Sequence, residues 1–172
     1  MAKLMKIYKN FNLKKKHKGS IILIGNFDGI HLGHQKLFSL AKKYKKKFKL
    51  NIGVLTFEPM PKMFFNKDIK NFRILNFDQK IDLLKKLDVD FIINKKFDKE
   101  FSKIKSLDFI KKIIHKKLNP KFIFVSNNFK FGNKREGDVS QLINYESLYG
   151  YKIVKPEPLR IKNIVISSSL IR

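Results

Sequence analysis

Short apolar runs alternate along this chain with longer stretches in which apolar residues recur every three or four positions. Ser20–Ile24, Leu50–Phe57, Val89–Ile93, Lys121–Val125 and Tyr151–Val154 are short, branched or aromatic, and predict buried strands. Between the first two, Gly33 to about Lys47 predicts a helix with Leu37, Leu40, Ala41 and Tyr44 on one side. Phe77–Leu87 predicts a second helix, with Asn76 as its cap, Gln79 completing a capping box, and Phe77, Ile81, Leu84 and Leu87 facing inward. Ser106 is a plausible cap for a third, Leu107–Leu118, whose apolar positions are Leu107, Ile110, Ile113, Ile114 and Leu118 and which Asn119–Pro120 stops. A fourth runs from about Asp138 to Tyr149 and ends at Gly150. Strand and helix in alternation require crossover connections. The expected fold is therefore α/β, a Rossmann-like, doubly wound parallel sheet with helices on both faces and ligands beyond the carboxyl ends of the strands. With no internal repeat and no linker-like segment, residues 1–172 read as a single domain.

Composition narrows the chemistry. The absence of cysteine excludes disulfides, thiolate zinc sites, iron–sulfur clusters and a cysteine nucleophile. The lysine-rich first twenty residues lack a signal peptide's apolar stretch, and no later run nears the roughly twenty residues of a membrane span. A soluble, cytoplasmic protein with no membrane partner is expected. The formal charge of +25 invites a nucleic-acid reading. Against it, the arginines are only Arg73, Arg135, Arg160 and Arg172, and the lysines are spread along the whole chain. Lysine enrichment of solvated faces is the simpler account; no specific nucleic acid is expected, and the oligomeric state is left open.

The most informative stretch is 25–34, GNFDGIHLGH, between the first confident strand and its helix. Two glycines and Asp28 allow a sharp turn, and His31 and His34 project to one side over a helix N-terminus. Exposed amides, the positive helix end and two imidazoles favour a phosphate. No Walker lysine loop and no GxGxxG is present. A histidine pair can also hold zinc, but cysteine is missing and the other histidines, His17 and His115, lie in the basic leader and on a lysine-rich helix, so the metal ligands stay unassigned.

Residues 25–34 resemble the GxFDGxHxGH signature of the adenylyltransferase part of bacterial FAD synthetases, the bifunctional riboflavin kinase/FMN adenylyltransferases of the HxGH nucleotidyltransferase superfamily. Three further segments match in order: 55–61, LTFEPMP, is similar to the TFEPHP loop; 125–132, VSNNFKFG, with Gly137-Asp138-Val139, is similar to VGxDFRFG…GDV; and 166–172, ISSSLIR, is similar to ISSTxIR. The resemblance implies transfer of AMP from ATP to FMN with Mg2+, giving FAD and pyrophosphate. It implies that His31 and His34 hold the ATP phosphates, that Gly25, Asn26 and Phe27 shape the nucleotide loop and Asp28 braces its turn, and that Ser167, Ser168 and Arg172 close on the triphosphate. Arg172 joins the two histidines as catalytic, while Asn128 and the loop with Phe57, Pro59 and Pro61 face the FMN. Each has a plainer alternative: Ser167 as an N-cap, Asn128 as a turn residue, Phe129 and Phe131 as one buried and one exposed aromatic.

The chain departs from the pattern at Met60 for His, Ser126 for Gly, Asn128 for Asp, Lys130 for Arg and Ser169 for Thr, changes that weigh on rate. Nothing in residues 1–172 is similar to the riboflavin kinase barrel with its GxPTAN-like motif. The expectation is an adenylyltransferase domain alone: a stand-alone enzyme, a fragment of the two-domain enzyme, or a decayed copy. The competing functions are a nucleotidyltransferase with another phosphate acceptor, such as a cytidylyltransferase, and an inactive copy that binds polyanions.

Overall fold

A computed structural model describes residues 4–69 and 72–172. At its centre lies β2, Ile21–Ile24, whose four residues are all buried because the sheet is covered on both sides. Ile21 and Leu23 point to one face and Ile22 and Ile24 to the other, feeding two separate apolar clusters. With β1 (Lys6–Tyr8), β3 (Ile52–Glu58), β4 (Phe91–Lys96), β5 (Phe122–Phe124) and a later strand, β8 (Lys152–Val154), it forms a six-stranded sheet in the order β1-β4-β3-β2-β5-β8. Every pairing in it is parallel. This is the expected doubly wound α/β arrangement. The chain leaves β2 for β3 on one side, and β5 lies on the other, so a crevice opens at the carboxyl end of β2.

One face is covered by α1 (Leu32–Phe48) and α3 (Phe77–Lys86). In α1 the buried residues are Phe38 and Ala41; Phe38, which the helical spacing did not single out, is the larger, and Leu37, Leu40 and Tyr44 are only partly covered. The capping box on α3 forms as expected, Asn76 accepting from Gln79 N and Gln79 accepting from Asn76 N.

The other face carries the segment expected as a third helix, and it differs from expectation. A single α turn, α5 (Ser106–Asp108), passes into a π-helix, Phe109–Leu118. Ser106 does not cap it; its backbone N–H donates to Glu136 Oε1. Ile110, Ile113, Ile114 and Leu118 are buried as expected, but Phe109 joins them in the core and Leu107, in the turn before the π-helix, is left 37% exposed. The fourth helix starts after Asp138, which caps it by accepting from Gln141 N, but breaks at Tyr145 into α6 (Val139–Asn144) and α7 (Glu146–Tyr149), ending as expected at Gly150, with φ +72.

Elements with no sequence expectation are β1 at the sheet edge, α2 (Pro61–Phe65) after β3, α4 (Lys99–Ser102), and the antiparallel ribbons β6 (Lys130–Phe131) with β7 (Gly137–Asp138) and β9 (Arg160–Ile161) with β10 (Ile164–Val165); α8 (Ser168–Ile171) is the short helix for which Ser167 reads as an N-cap. His17, in the basic leader, is a core residue: its ring stacks on Phe91 at 4.3 Å and its Nδ1 lies 2.7 Å from Tyr8 OH. Among the described residues no helix is long and apolar enough to cross a membrane.

Candidate functional site

Beyond β2 the chain turns through Gly25–Ile30 and enters α1. Gly25 N donates to Leu55 O of β3, which keeps the start of the turn in line with the sheet. Phe27, at φ +50, plugs the turn from below: it is 3% exposed, edge-on to His34 and tilted against Phe38, each at 5.2 Å. It shapes the loop as core, not as a ligand contact.

His31 is the N-cap of α1, its Nδ1 accepting from His34 N at 3.4 Å. The two imidazoles stack, 3.7 Å between centroids and 23° between planes. Burial pulls the pKa of His31 below its usual value. His34 is pushed down to about 3, first by burial, then by the neighbouring His31 and, against the opposing pull of Asp28, by Lys80. Both rings are therefore neutral near pH 7, with N–H groups to donate. No protein group among the described residues bonds His34 Nδ1. Gly33 lies between them; a Cβ there would meet His31 Cε1 at 3.0 Å and Ile166 O at 3.3 Å, so a side chain would push the late segment of the chain away from the helix start by a few tenths of an ångström.

Asp28 is 2% exposed and organises three distant segments. Its carboxylate accepts from Ile74 N at 2.9 Å, Leu75 N at 3.1 Å and Arg172 Nη2 at 2.8 Å, and its carbonyl accepts from Ser168 Oγ at 2.7 Å. Arg172 also donates from Nε to Phe72 O and lies 3.8 Å over the Phe72 ring. Ser167 caps α8, accepting from Leu170 N, as the plainer reading of it had it. The structure thus gathers Gly25, Asn26, Phe27, Asp28, His31, His34, Ser168 and Arg172 around one loop, and Asp28 braces the segment before α3 and the end of α8 as well as its own turn.

The sequence reading missed Lys80. It lies on α3, 5% exposed, and donates to Asn26 O at 2.8 Å and, more weakly, Thr56 Oγ1 at 3.4 Å. Its signal was present: position 80 falls within the apolar stripe of 77, 81 and 84.

The four residues expected on the FMN side lie outside the 25–34 stretch. Phe57 packs on Phe101 at 5.5 Å and Phe97 at 6.0 Å. Pro59 follows a cis peptide bond from Glu58, whose carboxylate pairs with Arg73, and Pro61 is the first residue of α2. Phe64 and Phe65 of α2 also contact Phe97, and Phe65 is 68% exposed, which leaves an aromatic ledge beside this loop. Asn128 is exposed on the loop after β5 and accepts from Ser126 Oγ. Phe131 is buried and Phe129 half-buried, the two rings stacked at 5.6 Å, which makes them packing residues. Met60 is 3% exposed, a core residue below the ledge. Among the described residues no group of three or more His, Asp or Glu comes together, and both Asp28 oxygens are engaged.

A family model described as FAD synthetase matches residues 13–170. The bifunctional riboflavin kinase/FMN adenylyltransferase of Buchnera aphidicola subsp. Acyrthosiphon pisum (strain APS) is 41% identical over 169 residues, 98% of this chain and 54% of that protein. That of Escherichia coli (strain K12) is 32% identical over 155 residues, 90% of this chain and 50% of that protein. The chain thus spans about half the length of the curated relatives it matches. Among solved structures, one described as a macrolide-efflux protein from Streptococcus pneumoniae superposes with a TM-score of 0.81 at 27% identity, over 97% of this chain and 54% of that one. Pantothenate synthetase from Thermus thermophilus, at 10% identity and a TM-score of 0.53 over 88% of this chain and 61% of that one, shares the fold.

Proposed function

Since the chain belongs to the FAD synthetase family, we propose that residues 1–172 act as an FMN adenylyltransferase domain in the cytoplasm, with ATP and FMN as substrates and FAD and pyrophosphate as products. An oxygen of the FMN phosphate attacks the α-phosphorus of ATP, the bond from that phosphorus to the β-bridging oxygen breaks, and pyrophosphate leaves. The reaction moves little proton charge, so the protein's part is alignment of two anions and stabilisation of the charge that spreads over the phosphoryl oxygens. Magnesium enters on the phosphates of ATP, as substrate.

The observation that carries this reading is the stacked pair His31 and His34 at the N-terminus of α1, beyond the carboxyl end of β2. Neutral imidazoles donate hydrogen bonds to phosphate oxygens without requiring a counter-charge, and the free amides of the first turn of α1 add to them. Arg172 uses Nε and Nη2 on Phe72 and Asp28, which leaves one guanidinium nitrogen to donate to a phosphate oxygen. Ser168 fixes the loop and Ser167 fixes α8, so both act on the nucleotide by placing backbone. Phe57, Pro59, Pro61 and the aromatic ledge offer the flat apolar surface an isoalloxazine needs, and the exposed Asn128, on the loop after β5, adds a polar group for the flavin.

Mixing the purified protein with FMN, ATP and magnesium tests this directly. Flavin fluorescence falls as FAD forms, and chromatography identifies FAD and pyrophosphate. No FAD at high protein concentration overturns the reading and leaves binding of polyanions, lost steeply with salt, as what remains to measure.

A further inference from the structure

Lys80 occupies a position where its helix otherwise buries apolar side chains. Phe77, Ile81 and Leu84 share its stripe, and an apolar residue there would complete the packing. A buried ammonium is instead held by a carbonyl and a hydroxyl, Asn26 O and Thr56 Oγ1. Among the described residues no carboxylate forms an ion pair with it: Asp28, the nearest acidic influence, has its oxygens on Ile74 N, Leu75 N and Arg172. The positive charge lies directly behind the turn that leads to His31 and His34, and its field is felt at His34. Unpaired buried charges are costly, and they persist where a partner of opposite sign arrives from outside.

We infer that Lys80 is a positioning residue for the nucleotide: it fixes the Asn26 carbonyl, and so the shape of the 25–28 turn, and its ammonium completes its ion pair only when the ATP phosphates bind. The inference rests on the reading of this loop as the ATP-phosphate cradle. It deepens that reading by naming a cation that the GNFDGIHLGH motif does not contain.

The charge is also conditional. Burial, the largest cause, and Arg73 before α3 lower the pKa of Lys80 to about 8 against the opposing pull of Asp28 from the loop. His34 from α1 is neutral in this range, and Thr56 from β3 does not titrate. A bound anion that needs the proton is released as pH rises above that value. A guanidinium in place of the amine would keep its charge throughout.

The test is equilibrium dialysis of the full chain against radiolabelled ATP with magnesium and without FMN, at pH 7.5 and 9.5. It compares the parent with Lys80→Met and Lys80→Arg. For the parent, ATP affinity falls at least about fivefold between the two pH values, and for Lys80→Arg it changes by less than about twofold. Lys80→Met binds ATP at least about tenfold more weakly at pH 7.5, while its melting temperature stays at or above the parent's, because a buried charge has been removed. A merely structural brace predicts the reverse, a lower melting temperature with unchanged affinity, and that result overturns the inference. So does a parent whose affinity is flat with pH, a Lys80→Arg profile as steep as the parent's, or no ATP binding at all. If Lys80→Met does not fold, the two pH profiles decide alone. FAD formation is scored separately: a parent that binds ATP with the expected profile and makes no FAD sinks the transfer reaction and supports the role of Lys80, whereas normal FAD synthesis with unaltered ATP binding in Lys80→Met does the opposite.

Discussion

The two ends of the central sheet handle buried charge in opposite ways. At the amino-terminal end, Asp90, just before β4, accepts from Ile52 N at 2.7 Å and from Lys45 Nζ at 3.0 Å, and Lys45 also meets Asp88 at 2.9 Å. At the carboxyl end, among the described residues, Lys80 meets a carbonyl and a hydroxyl and no carboxylate, and His34 Nδ1 has no partner. One end is a closed joint between α1 and the strands. The other holds polar groups poised for something from outside, and Asp28, the acid there, is turned inward by Arg172 and two backbone amides. Same sheet, same helix layer: completeness of pairing separates scaffold from site.

Breaking the closed end should cost stability and spare chemistry. Asp90→Ala strands the buried Ile52 N–H and leaves Lys45 with Asp88 alone, and is expected to destabilise by about 2–4 kcal/mol, lowering the melting temperature by about 10 °C, with FAD formation unchanged well below it. A thermal melt paired with the fluorescence assay checks both halves. At the open end, His34→Ala should reduce turnover about 10²–10³-fold, the effect of losing one donor to developing phosphoryl charge, with little loss of fold; turnover within twofold of the parent would remove His34 from the mechanism.

A smaller effect follows from acid. The native state holds the pKa of His34 at about 3, against 6.5 in the unfolded chain. Below pH 6.5 the unfolded state takes up a proton that the native state refuses. The stability present above 6.5 is therefore lost as pH falls toward 3, by about 2 kcal/mol between pH 7 and pH 5. Denaturant titrations at the two pH values measure it, and His34→Ala should flatten the loss by that amount. Smallest is Gly33→Ala, whose new methyl pushes His31 and the Ile166 carbonyl apart by a few tenths of an ångström; ATP affinity should fall about fivefold with an unchanged melting temperature.

What the sequence disclosed was whatever depends on near neighbours. The run Ile21–Ile24, the Asn76–Gln79 box and the i, i+3 spacing of His31 and His34 are local patterns, and each appears as read. The third helix went differently because nothing in its spacing distinguishes an i→i+5 ladder from an i→i+4 one until Phe109 is seen seated in the core. The edge strand Lys6–Tyr8 is three residues long and exists through its pairing with Phe91–Ile93. Lys80 was visible as a lysine within an apolar stripe, but a lysine on a helix reads as surface unless its partner carbonyl, 54 positions away, is known. The meeting of Asp28 with Ser168 and Arg172 spans still more chain and has no local trace.

That last contact sets an order of events during folding. Ser168 and Arg172 are separated from Asp28 by 140 and 144 residues, a longer interval than any strand pairing in the sheet spans. Loop-closure entropy makes such a distant contact late to form, and on a ribosome delivering residues amino end first it cannot form until almost the whole segment has emerged. A nascent chain with its sheet already assembled therefore still has an unlatched turn at 25–30. The loop proposed to hold the nucleotide is therefore complete only once synthesis has reached Arg172.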